Sequence, residues 1–280
     1  MLYSLIGSAI VALSLLVSAP SSAATGDEQF TPKIGQGGKD VIWVPSPDEL
    51  VKLMLERAAV TPNDIVYDLG AGDGKIAIAA AKDFGARATG IEYNPDMAGL
   101  ARRNAQRAGV SDKVTIVQGD IFEHDFSDAT VVTLYLLPSL NVKLRPKLLE
   151  LAPGTRIVSN SFDMGDWEPD DLIGTESSRG YYWVVPAKVQ GSWEISGAAE
   201  LHKARLDLVQ HYQNVGGTIT IDGKTSPILS PSLSGKDLTI RYTNQFGQLR
   251  VAKLHVDKDT MTGELFENTS LGDLKAKRIK

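Results

Sequence analysis

The chain has 280 residues, of which 42% are hydrophobic and 22% are charged, and it contains no cysteine. This composition is typical of a folded globular protein, and it excludes disulfides, thiolate metal sites and a cysteine nucleophile. Lysine and arginine number 29 and aspartate and glutamate number 34, so the formal net charge is −5. Because nucleic-acid binding depends on neutralising phosphates with basic side chains, we expect no nucleic-acid partner.

Residues 1–23 are predicted to be a signal peptide or an N-terminal membrane anchor. An apolar run at 5–19 precedes Pro20 and a group of small residues that ends at Ala23 and Ala24. The small residues favour cleavage by signal peptidase, whereas an apolar stretch of about 20 residues also suffices to cross a bilayer. We therefore expect a protein that is exported to the periplasm, or one that is associated with the inner membrane through this segment. Residues 24–40 are Gly-rich and polar and are predicted to be a linker or arm.

Between residues 41 and 196, short apolar runs alternate with amphipathic stretches. The first helix is predicted to begin at Pro47, with Ser46 as its N-cap and Glu49 completing a capping box. The predicted strands are 65–69, 88–92, 114–117, 129–134 and 155–159, and the predicted helices that lie between them are 75–84, 95–108 and 141–151. This alternation is typical of an α/β, Rossmann-like domain in which helices flank a mostly parallel sheet.

After residue 180 the pattern consists of strands alone. Residues 181–186 and 189–195 are predicted to form a hairpin, and turn signals such as Asp222-Gly223 separate the short strands that follow. Such a pattern is typical of a small antiparallel barrel or sandwich. We place the domain boundary near residue 196, which gives a Rossmann-like domain at 41–196 and a small all-β domain of unassigned role at 197–280.

One glycine-rich loop concentrates the chemistry, and it reads Asp68-Leu69-Gly70-Ala71-Gly72-Asp73-Gly74-Lys75. A loop of this kind between a strand and a helix brings backbone N–H groups and the positive end of the helix toward a ligand. A phosphate-binding P-loop is excluded because Ile76 stands where Ser or Thr is required. A dinucleotide fingerprint is excluded because Lys75 takes the place of its third glycine. The pattern that remains is GxGxG with an acid, Asp68, before it.

This loop and two later acids together resemble the class I S-adenosylmethionine-dependent methyltransferases. Glu92 ends the second predicted strand and Asp120 follows the third. An acid about 20 residues after the loop is placed to accept hydrogen bonds from ribose hydroxyls. The resemblance implies that Asp68 positions the methionine end of S-adenosyl-L-methionine. The residues that we expect to bind this cofactor are Asp68, Gly70, Ala71, Gly72, Gly74, Glu92, Tyr93, Asp120, Ile121 and Tyr135.

The resemblance is narrower at two further segments, Val44-Pro45-Ser46-Pro47 and Tyr135-Leu136-Leu137-Pro138. With the loop, they are similar to bacterial relatives of a seven-strand protein-lysine methyltransferase group that includes mitochondrial enzymes. The similarity covers about residues 41–195. It implies in-line methyl transfer to an amine, with a protein lysine as the expected acceptor. Two alternatives stay open, which are a small-molecule methyltransferase and a non-catalytic module that binds a nucleoside or a partner.

No catalytic acid or base is assigned, because methyl transfer from a sulfonium depends mainly on positioning of the reactants. Tyr135, Asn160 and Asp163 lie near predicted strand ends and are candidates for handling the proton of an amine acceptor. Trp43 is expected either to cover the cofactor or to pack against the first helix. The histidines at 124, 202, 211 and 255 share no metal-ligand spacing, so no metal site is predicted.

Overall fold

A computed structural model describes residues 26–201 and 204–279. The predicted signal peptide or anchor, residues 1–23, lies outside these ranges. No helix within them is both long enough and apolar enough to span a membrane. The described chain forms a seven-stranded sheet with flanking helices and a nine-stranded antiparallel sheet, which confirms the predicted fold class.

The helices and strands of the first sheet alternate up to residue 160, except that the strands at 114–118 and 131–134 follow each other directly. The helices are α1 (Asp48–Arg57), α2 (Lys75–Phe84), α3 (Pro95–Arg107) and α4 (Pro138–Leu148). The strands are β1 (Ile65–Leu69), β2 (Arg87–Glu92), β3 (Val114–Gln118), β4 (Val131–Leu134), β5 (Arg156–Asn160), β6 (Asp171–Gly174) and β7 (Arg179–Val184). The spatial order is β3-β2-β1-β4-β5-β7-β6, in which the first five strands are parallel and β7 runs antiparallel to both of its neighbours. The order reverses between β1 and β4, and open α/β sheets bind ligands at such a point.

The start of α1 differs from the prediction. Its N-cap position is Pro47, and no side chain caps the helix. The hydroxyl of Ser46 instead accepts a hydrogen bond from Asn160 Nδ2 at 3.1 Å, and the Ser46 carbonyl accepts one from Lys75 Nζ at 2.8 Å. The predicted capping role of Ser46 is therefore wrong, because contacts with the end of β5 and the start of α2 hold this residue. Helix α4 also begins earlier than predicted, at Pro138, a residue type that suits the first turn of a helix.

The second sheet contains the remaining strands. They are β8 (Gly191–Gly197), β9 (Ala204–His211), β10 (Asn214–Ile221), β11 (Lys224–Pro227), β12 (Leu229–Ser234), β13 (Asp237–Thr243), β14 (Leu249–Asp257), β15 (Thr260–Phe266) and β16 (Ser270–Ile279). Their order is β11-β10-β9-β8-β16-β15-β14-β13-β12, and β10 lies against β12, so the sheet nearly closes into a barrel. Fully buried Trp193 and Tyr242 fill its interior.

The predicted hairpin of 181–186 with 189–195 does not form. Both edges of β7 are already paired, one with β5 and one with β6. Strand β8 therefore pairs with β9 and β16 in the second sheet. The chain passes from one sheet to the other between Val184 and Gly191, while the limits of independently folding domains stay a prediction.

Candidate active site

A groove runs along the carboxyl ends of β1, β2 and β4. Its floor is formed by the glycine-rich loop and Glu92, and the arm before α1 covers one side through residues 36–38 and 41–46. An adjoining pocket shares Gly70, Glu92 and Leu136 with the groove and extends toward the end of β3. The predicted residues that line the groove or the adjoining pocket are Asp68, Gly70, Ala71, Gly72, Glu92, Tyr93, Asp120, Ile121 and Tyr135. The structure thus brings nine of the ten predicted residues together.

Asp68 is the most unusual acid in the groove. Its side chain is 2% exposed, and its Oδ1 atom accepts a hydrogen bond from Thr133 Oγ1 at 2.7 Å. The second oxygen, Oδ2, is buried and has no hydrogen-bond partner in the described part of the chain. Burial raises the pKa of Asp68 to about 7. A buried carboxylate oxygen without a partner is costly, so this site is suited to a ligand that brings a cationic N–H donor.

Two glycines give the loop its shape. Gly70 and Gly72 have φ values of +85° and +55°, which lie in the left-handed region that favours glycine. A Cβ atom at Gly70 would lie 2.9 Å from Leu136 Cδ2, and one at Gly72 would lie 2.9 Å from Trp43 Nε1. Trp43 therefore packs directly on the loop and lines the groove. A side chain at either glycine would displace Leu136 or Trp43, both of which line the groove.

Gly74 is the predicted residue that the structure places elsewhere. It precedes α2 with a φ of +83° and does not line the groove. A Cβ atom at this position would lie 3.1 Å from Ala101 Cβ, on α3. Gly74 therefore lets α2 and α3 pack closely, and its contact with a ligand stays a prediction.

Glu92 connects the loop to α3. Its Oε2 atom accepts a hydrogen bond from the Gly72 N–H at 2.8 Å, and its Oε1 atom accepts one from the Asn94 N–H at 2.8 Å. Asn94 in turn caps α3 by accepting from the backbone N–H groups of Asp96 and Met97. The carboxylate is thus held in a single orientation at the junction of the groove and the adjoining pocket. Each of its oxygens keeps a lone pair for a ligand hydroxyl.

Lys39, on the predicted arm, is a site residue that sequence reasoning missed. Its Nζ atom donates to Asp120 Oδ2 at 2.5 Å and lies 5.0 Å from the centroid of the Tyr93 ring. This lysine, together with a hydrogen bond from the Phe122 N–H, lowers the pKa of Asp120. The arm is therefore part of the adjoining pocket. A lysine in a Gly-rich, polar stretch gives no sequence signal for this position.

The other end of the groove is aromatic. The rings of Tyr135 and Phe162 stack with their centroids 6.4 Å apart and their planes at 28°, and both side chains line the groove. Phe162 was not predicted, although it lies between the two candidates Asn160 and Asp163. Neither of those lines the groove, because Asn160 is buried against Ser46 and Asp163 is exposed. The position of Phe162 after a strand end was the only signal that pointed to it.

These features fit S-adenosyl-L-methionine. Asp68 Oδ2 would accept from the ammonium group of the methionine moiety, Glu92 from the ribose hydroxyls, and the adjoining pocket with Ile121 would take the adenine. When bound, the cofactor supplies a methyl group activated by a positively charged sulfur. The residues of the chain hold and orient the reactants and exclude water, a contribution that is worth up to roughly 7–11 kcal/mol of the barrier in well-oriented reactions. Across 26–201 and 204–279, no group of three or more His, Asp or Glu residues is arranged to hold a metal ion.

Comparison with known proteins supports the same interpretation. Residues 68–171 match the family model described as ANTKMT methyltransferase domain. A protein-lysine N-methyltransferase of Saccharolobus islandicus (strain REY15A) is 49% identical over 141 residues, which are 50% of this chain and 88% of that protein. The adenine nucleotide translocase lysine N-methyltransferase of Mus musculus is 39% identical over 140 residues, which are 50% of this chain and 61% of that protein.

A solved structure gives a similar result. It is an RNA methyltransferase from Salinibacter ruber in complex with S-adenosyl-L-homocysteine, with 54% identity and a TM-score of 0.51 over 52% of this chain and 96% of that chain. The archaeal relative and this structure are matched over most of their length, whereas the chain spans about three fifths of the mouse enzyme. The chain therefore belongs to the family of class I S-adenosyl-L-methionine-dependent methyltransferases that contains these relatives, and it is an enzyme that uses this cofactor.

Proposed function

We propose that this enzyme methylates the ε-amino group of a lysine in a protein. The observation that carries the proposal is the charge around the groove. The two lysines that line the groove and its adjoining pocket, Lys75 and Lys39, are both paired with carboxylates, those of Asp48 and Asp120. Asp48 is 67% exposed at its side chain, and the exposed Asp163 follows the groove residue Phe162. This arrangement favours a cationic acceptor over a polyanionic one.

The aromatic end of the groove suits the lysine side chain. The rings of Tyr135 and Phe162 offer an apolar wall for its aliphatic stem. An amine must lose its proton before it can accept a methyl group. Removal from water lowers the pKa of a lysine amine, so packing of the stem against this wall favours the neutral, nucleophilic form, with the proton passing to solvent. Methyl transfer forms the N–C bond as the S–C bond of the cofactor breaks.

RNA is the second candidate acceptor, because the Salinibacter ruber protein with 54% identity is described as an RNA methyltransferase. The net charge of −5 and the pairing of the groove lysines both weigh against it. The relatives named as lysine methyltransferases, among them the archaeal and mouse enzymes, support the protein acceptor.

The test is transfer of radiolabelled methyl groups from S-adenosyl-L-methionine to three separate acceptors, which are poly-L-lysine, total cell protein and total tRNA. We expect label in protein, recovered as N-methyl-lysine after acid hydrolysis and located by mass spectrometry. Cell protein whose amines have been blocked by acetylation, which turns them into non-nucleophilic amides, is the matched control and should take up no label. Label confined to tRNA, or to protein after its amines are blocked, would exclude a lysine acceptor.

We further propose that the enzyme works in the periplasm or at the inner membrane. The support is the apolar run at 5–19 with the small residues after Pro20, all of which lie outside the described residues. The test uses two fusions of residues 1–40. One is to alkaline phosphatase, which is active only after export, and the other is to a fluorescent protein that matures only in the cytosol. Fluorescence without phosphatase activity would rule out export. An exported enzyme would also require cofactor outside the cytosol, where the cofactor is made.

A further inference from the structure

The segment after β5 carries one wall of the groove. Ser161 has a φ of +65°, a left-handed conformation that is unfavourable for a residue other than glycine. Phe162 follows and lines the groove beside Tyr135. The Phe162 carbonyl accepts hydrogen bonds from Ser159 Oγ at 2.7 Å and from Asn141 Nδ2 at 3.2 Å. Contacts within the first sheet and α4 therefore fix the beginning of this segment.

The second sheet shares in fixing its end with Trp183 of β7, whose indole N–H donates to the Trp167 carbonyl at 2.9 Å. Trp167 is fully buried, and its ring stacks on Tyr212 with centroids 5.9 Å apart and planes at 24°. Its indole N–H donates to Gln213 Oε1 at 3.0 Å, while Gln213 Nε2 donates to the Glu168 carbonyl at 2.7 Å. Tyr212 and Gln213 form the turn between β9 and β10. The turn at Tyr212 and Gln213, in the second sheet, thus provides hydrogen-bond partners for the buried Trp167 N–H and for the Glu168 carbonyl, which both lie in the segment after β5.

A third set of contacts joins this turn to α4. The Tyr212 hydroxyl donates to Asp166 Oδ2 at 3.1 Å, and the guanidinium of Arg145 lies 5.4 Å from the centroid of the Tyr212 ring. Arg145 also donates to Asp166 and, at 2.7 Å, to the Met164 carbonyl. Arginine, aspartate and tyrosine therefore hold the middle of the segment from two sides. A connection between two strands would otherwise be among the more mobile parts of a fold.

We propose that Tyr212 and Gln213 are positioning residues for the methyl acceptor. By holding residues 161–168, they keep Phe162 against the groove, although neither of them lines the groove itself. Loss of Gln213 leaves the Trp167 N–H without its acceptor, and loss of the Tyr212 ring removes the stacking partner of Trp167. The segment then loosens and the acceptor wall with it, while the cofactor end of the groove is unchanged. This inference rests on the proposed function only in that the acceptor enters beside Phe162, and it gives the second sheet a role in the reaction.

The test compares two double variants of the full chain. One is Tyr212→Ala with Gln213→Ala. Its matched control is Gln245→Ala with Phe246→Ala, which removes the same kinds of side chain from the turn between β13 and β14, where Phe246 is 76% exposed. Hydrogen exchange is followed in residues 161–168. We expect exchange there to be about tenfold faster in the first variant and unchanged in the control.

Kinetics separate positioning from a general loss of stability. With poly-L-lysine as acceptor, we expect the first variant to raise the KM for the acceptor by about fivefold or more, with kcat and the Kd of S-adenosyl-L-homocysteine within about twofold of the parent. The single variant Tyr212→Phe keeps the stacking on Trp167, so we expect its KM for the acceptor to lie close to that of the parent. If the double variant does not fold, Gln213→Glu, which keeps an acceptor for Trp167 and loses the donor to Glu168, serves in its place.

Two results would overturn the inference. One is parental exchange in residues 161–168 of the variant, and the other is an unchanged acceptor KM despite faster exchange. If the parent methylates tRNA and leaves poly-L-lysine unmodified, the lysine proposal fails. The same KM comparison made with tRNA then still decides whether the turn positions the acceptor.

Discussion

Replacement of Asp68 by asparagine is expected to stabilise the cofactor-free enzyme at alkaline pH and to weaken cofactor binding. Burial raises the pKa of Asp68 from 3.8 to about 7. The folded protein therefore binds more protons than the unfolded chain between about pH 4 and pH 7, and its stability falls as the pH rises through that window. A shift of about three pH units corresponds to about 4 kcal/mol at about pH 8, where the loss is complete. The carboxylate is thus kept at a cost to stability.

The comparison between two pH values isolates this effect. The asparagine of D68N would still accept from Thr133, but its amide nitrogen would replace Oδ2 and lack a partner, a penalty of about 1–3 kcal/mol that does not depend on pH. At pH 5, ionisation of Asp68 in the unfolded chain has already removed part of the parent's stability. The free energy of unfolding of D68N should therefore rise by about 2–3 kcal/mol relative to that of the parent between pH 5 and pH 8. Urea denaturation of the two cofactor-free proteins at pH 5 and at pH 8 measures this difference in the free energy of unfolding. A matched control is D64N. Burial alone would raise the pKa of Asp64, but hydrogen bonds from Thr130 and Arg156 hold it below its usual value of 3.8, so the carboxyl is ionised in both the folded and the unfolded parent above about pH 5. The stability difference between D64N and the parent should therefore stay constant between pH 5 and pH 8.

The same substitution should weaken cofactor binding, although it stabilises the cofactor-free protein at alkaline pH. An ammonium group at Asp68 Oδ2 favours the ionised carboxylate, so binding of S-adenosyl-L-homocysteine at pH 6 should release close to one proton from the parent. Calorimetry in two buffers of different ionisation enthalpy measures that release. We expect D68N to bind at least about tenfold more weakly and to release no proton from this position. If D68N binds as tightly as the parent and the proton release persists, Asp68 does not contact the cofactor.

Three further changes test other parts of the structure. Glu92→Ala should weaken binding of S-adenosyl-L-homocysteine by about ten- to a hundredfold in calorimetry, because it also frees the Gly72 N–H; parental affinity would contradict the assignment. Gly72→Ala should displace Trp43, which tryptophan fluorescence and a lower cofactor affinity would report, and an unchanged spectrum would show that the loop tolerates a Cβ atom. Arg250→Met should destabilise the second sheet by about 3 kcal/mol in thermal unfolding, because Arg250 is 5% exposed and its loss leaves the carboxylate of Glu200 without its cation. Two separate transitions would support independent domains, and one joint transition would argue against them.

The elements around the cofactor were predictable because their signals are local. Strand β1 and helix α2 have the predicted bounds, since a short apolar run ends at Asp68 and a helical period begins at Lys75. The loop between them departs from ordinary preferences, with a buried acid and glycines at positive φ, and such departures are what make it recognisable from the sequence. Nine of the ten predicted residues therefore lie together at the groove and its adjoining pocket, and their contact with the cofactor stays a prediction.

The errors arose where a contact joins distant parts of the chain. Ser46 carries every local signal of an N-cap, yet a hydrogen bond from Asn160 takes its hydroxyl. The hairpin across residues 181–195 had suitable strands, but the pairing of β7 with β6 was needed to show that no edge was free. Lys39 reaches Asp120 from a segment whose composition is that of a linker. Local periodicity contains no information about any of these pairings.

The same distinction explains why the cofactor is easier to identify than the acceptor. The glycine-rich loop and the acids at the cofactor end lie at strand ends and in the turns that follow them, so one stretch from Asp68 to Asp120 supplies these residues, while the arm before α1 covers them. The aromatic end, where we propose that the acceptor enters, is assembled from Tyr135 after β4 and Phe162 after β5, and the turn at Tyr212 and Gln213 supports it from the second sheet. These residues lie in separate segments of the chain, so no single continuous motif defines the aromatic end as the glycine-rich loop defines the cofactor end. Relatives that share the loop are therefore reliable guides to the cofactor, and variants of the Tyr212–Gln213 turn are the more direct test of acceptor choice.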